Sequence, residues 1–218
     1  MSKNIIDRVD EIIEKKSLLK HPFYQEWTKG TLPLDSLKKY AAQYYHFEMA
    51  YPTFLSGVHY RCHNQRVRQL LLDNLWDEEH GPENHVELWL KFCDGLGVDR
   101  DEVQNGVPSE ATTALVETYT DLTSMGPLAA GIAALYAYES QVPEVASVKL
   151  EGLKEFYDFD DDDSVSFFQV HQGLDVEHSE AEKDMVSALA VTESDKAAVV
   201  EASESATRTL WKFLDGVY

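Results

Sequence analysis

The segment HQGLDVEHSE, residues 171–180, sets His171, Asp175 and His178 at spacings of four and three. On an α-helix Asp175 then lies about 40° to one side of His171 and His178 about 20° to the other, so one stripe carries all three. Imidazole and carboxylate donors of this kind suit iron or manganese. A second set falls in NLWDEEHGPENHVELWL, residues 74–90, where Glu78 and His85 are seven apart. That spacing brings them within about 20° of each other if one helix carries both. Pro82 would leave the Glu78 carbonyl without its helical partner, which predicts a local kink. The third element is AALYAYES, residues 133–140, in which Glu139 follows an almost wholly apolar run with no Lys or Arg near it. A buried, unpaired carboxylate is costly there, and a metal ion would remove the problem.

Two glutamates, one aspartate and three histidines thus come from three predicted helices. Carboxylate and imidazole sets of this size on helical bundles suit two iron or manganese ions. Spacing alone leaves a second reading open, in which these acids and histidines occupy wet helix faces. Asp77, Glu79, His80, Glu83, Glu87, Glu177 and Glu180 read as mostly solvated neighbours. His21, His46, His59 and His63 lack a second ligand at helical spacing and read as capping, core or surface residues. Tyr40, Tyr44, Tyr45, Phe47, Tyr51 and Phe54 read as core and pocket wall, since aromatics three and four apart usually pack together. Ser56 and Ser140 lie in no nucleophile-elbow sequence, Cys62 and Cys93 have no evident activating base, and no glycine loop is built to cradle phosphate.

The elements that must hold these residues are helical, since no long stretch alternates with the strand period. Ile5, Ile6, Val9, Ile12 and Ile13 mark a first amphipathic helix within residues 1–16, and HPFYQEW a short second one. Leu34 to about Tyr60 reads as one long helix, bent at Pro52. Helices follow at 64–81, 83–93, 110–123, 126–141, 143–157, 164–189 and 193–214. GLGVDRDEVQNGVPSE is the clearest loop. The acids Asp160 to Asp163 read as a solvated turn with an acid favoured at the next helix N-terminus, because the glycine and spaced ligands of a calcium loop are missing. The expected architecture is all-α, one helical domain over residues 1–218 with about seven or more helices.

The 218 residues carry a formal charge of -20, a surface that repels nucleic acid and anionic membranes, so neither is expected as a partner. The longest nearly apolar run, GPLAAGIAALYAY, is too short to span a bilayer. With two cysteines outside any CxxC and no secretory signal pattern, a soluble cytoplasmic protein is the expectation.

The order HPFY, EEHGPENH, YAYES and HxxxDxxH resembles the heme-oxygenase-like helical superfamily, which also holds the TenA thiaminases and the PqqC oxidases. More narrowly it is similar to that superfamily's dimetal oxidases of the CADD type, the p-aminobenzoate synthases. The resemblance spans almost the whole chain. It implies a heme-oxygenase-like bundle, a homodimer, and six metal ligands at Glu78, His85, Glu139, His171, Asp175 and His178. Those ligands would hold two ions, Fe/Fe or Fe/Mn, working with O₂ and an external reductant. It implies further that Tyr24 is the tyrosine such enzymes consume and Lys149 their amino donor, with Tyr138 lining the pocket or carrying a radical. The residues alone would mark Tyr24 as an ordinary amphipathic aromatic and Lys149 as a surface lysine. Ala134 stands where TenA proteins have their nucleophilic cysteine, which argues against thiaminase activity. Six intact ligands argue against the metal-free PqqC reaction.

Three functions follow from this reading. The first is a p-aminobenzoate synthase for folate synthesis that cuts the product from its own tyrosine and needs no external organic substrate. The second is a dimetal oxygenase acting on an external fatty acid or amino acid. The third is a helical interaction protein with a relict ligand cluster.

Overall fold

The computed structural model describes residues 4–159 and 161–218, the side chain of Leu174 excepted. The N-terminal part of the first predicted helix, Met1 to Lys3, and Asp160 of the acidic run lie outside the described residues. Helices α1 (Ile5–Lys15), α2 (Pro22–Trp27), α3 (Leu34–Arg61), α4 (Gln65–Glu79), α5 (His85–Gly95) and α6 (Arg100–Asn105) form the first half. Helices α7 (Glu110–Ser124), α8 (Leu128–Glu139), α9 (Val142–Phe156), α10 (Asp162–Leu189) and α11 (Glu193–Val217) complete the chain. Among the described residues there is no strand, and no helix is long and apolar enough to cross a membrane.

Helix α8 is the axis of the bundle. Its sequence LAAGIAALYAYE is apolar on every side, and every residue from Ala129 to Glu139 is buried, as expected of a helix with no solvent face. It packs against α11, α10, α7, α3 and α9. Gly131 permits one close approach: a Cβ there would stand 3.0 Å from Val58 of α3 and 3.1 Å from the Leu122 carbonyl of α7. The two long helices α3 and α10 flank α5 and bring their stripes toward α8. Helix α3 runs through Pro52, whose ring nitrogen offers no N–H to the carbonyl of Glu48 four residues earlier.

Local chemistry sets the helix ends. Asn64 accepts hydrogen bonds from Arg66 and Val67 to start α4, Ser109 caps α7, and Thr192 caps α11. His21 is a capping residue, its ring accepting from the Phe23 N–H. Asp161 caps α10 by accepting from Ser164 at 2.8 Å. The segment taken as the clearest loop contains α6. Asp99 accepts from the N–H groups of Asp101 and Glu102, and Val103 alone is buried, so a helix this short left no apolar period to read.

Candidate metal centre and its tyrosine-lined cavity

The stripe His171, Asp175, His178 is buried on one face of α10 and continues to Glu182, four residues beyond His178. Opposite it stand Glu139 at the end of α8, His85 at the start of α5 and Glu78 near the end of α4. The donors thus come from four helices, where three were expected. Glu78 and His85 do not share a helix: α4 stops at Glu79, Gly81 takes the left-handed conformation (φ 88°), and Asn84 caps α5. The chain reverses through this turn, and His85 Nδ1 still arrives 2.9 Å from Glu78 Oε2. Their proximity therefore comes from the turn and not from helical spacing.

The donors form two groups. Glu139, Asp175 and His178 each offer an atom within 4.8 Å of the other two. Glu48 of α3, His85 and His171 do the same, with Glu78 beside His85. The rings of His85 and His171 are 4.4 Å apart. His171 is oriented by a 2.6 Å hydrogen bond between Nδ1 and the Phe167 carbonyl, and His178 by Asp77, whose Oδ2 lies 3.1 Å from Nε2. Second-sphere bonds of this type fix ring orientation in metal sites. Glu139 accepts from Asn74 Nδ2 at 2.9 and 3.2 Å and from the Tyr51 hydroxyl.

Burial and mutual crowding shift the protonation of the acids and histidines in this site. Burial, with Glu78 nearby, pushes the Glu48 carboxyl up to about 8. Burial lifts Glu139 to about 7 against the pull of His178, and Asp175 to about 6. Burial opposes charge on His85, but Glu78 and the other acids outweigh it and raise the ring to about 9. His178 reaches about 9 in the same way, through Asp175 and Glu139. Burial, and then the facing Glu139, hold Glu182 well above the carboxylate range. Asp175 Oδ2 is buried without a hydrogen-bond partner, and so is His178 Nδ1, which stands 3.8 Å from Asp175 Oδ1. Orphaned buried donors beside mutually repelling acids are what a set of cation ligands presents without its cation. The residues fit two divalent ions of the iron and manganese type.

Beside the clusters lies a cavity of about 30 Å³, lined by Tyr24, Tyr40, Tyr44, Tyr138, Lys149 and apolar side chains. This is room for about one or two water molecules. Lys149 is buried, contrary to a reading of its sequence surroundings, and donates from Nζ to the Tyr40 hydroxyl at 2.6 Å. Tyr40 also shares a hydrogen bond with Tyr24. The Lys149 nitrogen is 5.6 Å from the centre of the Tyr24 ring. Burial brings its pKa down to about 7, partly offset by Glu48. Tyr138, next to Glu139 in sequence, contacts Tyr44 through its hydroxyl.

The family model described as iron-containing redox enzyme matches residues 38–211. The chain belongs to that family. It is 44% identical over 215 residues to the 4-aminobenzoate synthase of Chlamydia muridarum, covering 99% of this chain and 90% of that protein. It is also 44% identical to the 4-aminobenzoate synthase of Nitrosomonas europaea, covering 97% and 89%. The fold is shared with a TenA homologue from Pseudomonas syringae, with a TM-score of 0.85 at 16% identity, over 98% of this chain and 90% of the other. A CADD-like protein from Nostoc punctiforme superposes with a TM-score of 0.78 at 17% identity, over 98% and 96%. The heme-oxygenase-like, all-α architecture expected from the motifs is therefore the observed one.

Within this iron-containing family member, the sequence reading brought together six of the buried donors and missed two, Glu48 and Glu182. Glu182 prolongs the His171 stripe by one more turn, a spacing the sequence displays. Glu48 sits in YYHFEMAY, a lone acid among aromatics, the same signal that singled out Glu139.

Proposed function

We propose that this chain is a p-aminobenzoate synthase that draws the aromatic ring from its own Tyr24 and the nitrogen from Lys149. Two ions, Fe/Fe or Fe/Mn, held by Glu78, His85, Glu139, His171, Asp175 and His178, would supply the activation of O₂, with electrons from an external reductant. The observation that carries the reading is that Tyr24 and Lys149 line one small cavity beside the ligand clusters, which has room for about one or two water molecules. An external fatty acid or amino acid has no comparable space there. The identity to 4-aminobenzoate synthases over nearly the full chain supports the same reading.

The residues of the chain account for the remaining requirements. The ring and Cβ of a tyrosine already make the carbon skeleton of a para-substituted benzoate. The Cα–Cβ bond must break, Cβ must be oxidised to carboxylate at the expense of O₂, and the phenol oxygen must give way to the Lys149 nitrogen, whose bond to Cε must break in turn, with the external reductant and O₂ balancing the electrons. Tethering Tyr24 removes the entropy of association. The Tyr40 hydroxyl holds both the phenol and the amine. Burial keeps a large share of Lys149 neutral near pH 7, with a lone pair to give. The aromatic walls leave room for no more than about one or two water molecules beside the reacting ring. Because the chain is consumed, output is one product per chain, and that product serves folate synthesis.

The deciding experiment exposes iron-loaded, reduced protein to O₂ and follows intact mass and p-aminobenzoate together. Release of the product, with a matching mass loss located at Tyr24, is the expected result. An unchanged chain that consumes O₂, or product far above one per chain, sinks the proposal.

A further inference from the structure

We infer that Gln141 is a positioning residue for the proposed synthesis: its amide ties the segment that carries Tyr24 to the end of the helix that carries Glu139. This rests on the reading of Tyr24 as the consumed ring and adds the device that sets its place. Gln141 stands between the last turn of α8 and the start of α9. It is buried, and its side chain does not cap α9. Instead Nε2 donates to the Ala137 carbonyl of α8 at 2.7 Å, and Oε1 accepts from the Leu18 N–H at 2.9 Å. Both partners belong to helix ends, where backbone groups lack partners of their own: one is a carbonyl in the last turn of α8, the other the N–H that opens a 3₁₀ turn at Leu18–Lys20. A primary amide meets a carbonyl with its nitrogen and an N–H with its oxygen, so the two bonds also fix which way it points.

The two ends of this tether matter to the reaction. Leu18, Tyr24 and Tyr138 all line the cavity. Ala137 precedes Tyr138 and lies two residues before Glu139. Beyond Leu18, the 3₁₀ turn packs on α2, which His21 caps and which contains Tyr24. Among the described residues, the other hydrogen bonds made by the backbone of residues 18–27 stay within residues 17–32. The rings of Phe23, Tyr24 and Trp27 are buried, but apolar burial has no direction and does not set the register of the segment against α8. A hydrogen bond does. The contacts of His21 with Asp215 and of Glu26 with Tyr218 hold the other side of the segment to the C-terminal end of the chain, and Asp215 is exposed. Tyr40 holds the phenol itself, and Gln141 holds the backbone that carries it. A misplacement of about 1 Å at a reacting group can cost about 100-fold in rate, which is the scale on which such a tether counts.

The test compares wild type with Gln141→Met and Gln141→Glu. Amide hydrogen exchange in the metal-free chains, read on peptides covering residues 17–27, reports the tether without any reaction. Bound iron, Fe(II) oxidised by O₂ and p-aminobenzoate per chain report the chemistry. Gln141→Met should speed exchange over residues 18–27 by roughly 2–10-fold. It should take up and oxidise iron as wild type does, and make about tenfold less product per Fe(II) oxidised. Gln141→Glu keeps an oxygen for the Leu18 N–H and should make more product per Fe(II) oxidised than Gln141→Met. Wild-type product per Fe(II) oxidised in Gln141→Met overturns the assignment. So does a loss of product matched by an equal loss of bound or oxidised iron, which a purely structural role would give, and so does a Glu variant no better than Met. Unchanged exchange in Gln141→Met overturns the tether whatever the product. A wild-type chain that makes no p-aminobenzoate overturns the proposed synthesis and this role with it, and the exchange result then stands by itself as the measure of the tether. Should Gln141→Met fail to fold, Gln141→Asn, one methylene shorter, takes its place under the same criteria.

Discussion

The side-chain nitrogen of Lys149 donates to the Tyr40 hydroxyl at 2.6 Å, and among the described residues no carboxylate forms an ion pair with it. Burial shifts this amine toward the neutral form, which can act as a nitrogen nucleophile. Its pKa near 7 compares with an ordinary value of 10.5. Between those two values the unfolded chain carries a proton that the folded chain lacks, so this residue makes stability rise with pH across the window. Two outcomes are expected. The initial rate of p-aminobenzoate release should rise as pH passes through about 7. Lys149→Met should lose the product while its Tm at neutral pH matches or exceeds that of wild type. Quantified product and scanning calorimetry at several pH values check both, and full product from Lys149→Met would remove the lysine from the chemistry.

Tyr24→Phe keeps the ring packed on Trp27 and Phe23 but removes the hydroxyl bonded to Tyr40. The stability cost should be small, about 1 kcal/mol, and metal uptake unchanged. Product should fall to background. Denaturant unfolding, metal analysis and product assay on one preparation separate these effects.

The metal-free chain should be most stable at mildly acidic pH. Glu48, Glu139 and Asp175 hold protons when folded, at about 8, 7 and 6, that they have lost in the unfolded chain above their ordinary values of 4.5 and 3.8. In that window the folded state binds more protons, so stability falls as pH rises. His85 and His178, raised to about 9 from 6.5, extend the same sign upward. Metal uptake displaces these protons. The gain in Tm on adding iron anaerobically should therefore grow with pH, and chelation should reverse it. Calorimetry of metal-free and loaded protein across the range is the measurement, and a gain that shrinks with rising pH would contradict the site's assignment.

Gly152 of α9 is a packing constraint on the same cavity. A Cβ there would stand 2.5 Å from Trp27 Cδ1 and 2.7 Å from its Nε1, and Trp27 stacks on Tyr24 with ring centres 6.1 Å apart. Gly152→Ala should destabilise the chain by about 1–3 kcal/mol through overpacking. It should also lower product yield, because Tyr24 is displaced through Trp27. Urea unfolding and product per chain measure the two effects independently.

How far the sequence carried this picture depended on which force placed each residue. The α10 stripe was legible because one helix fixes His171, Asp175 and His178 by its own repeat. Glu139 was legible as an acid in an apolar helix. Glu78 and His85 were paired for a reason the structure replaces: a left-handed Gly81 and an Asn84 cap, not a shared helix, bring them together. Glu48 was passed over because its partners are far away in sequence and its neighbours are aromatics that read as core. Lys149 shows the same limit, since SVKL contains nothing that announces burial. Only the packing of α9 on α10, with Tyr40 and Tyr44 presented by α3, encloses its amine.

On the proposed reaction, the near-complete burial of Tyr24 would bear on the lifetime of the molecule as well as on its chemistry. A chain that gives up this ring keeps a void where a close-packed aromatic stood. Deleting a buried aromatic costs about 3–5 kcal/mol, a large part of the roughly 5–15 kcal/mol that holds a domain together. The spent protein would then open more often and present its core to proteases sooner than the unused one. Its single act of synthesis would thus also mark it for removal, returning its remaining amino acids to the cell.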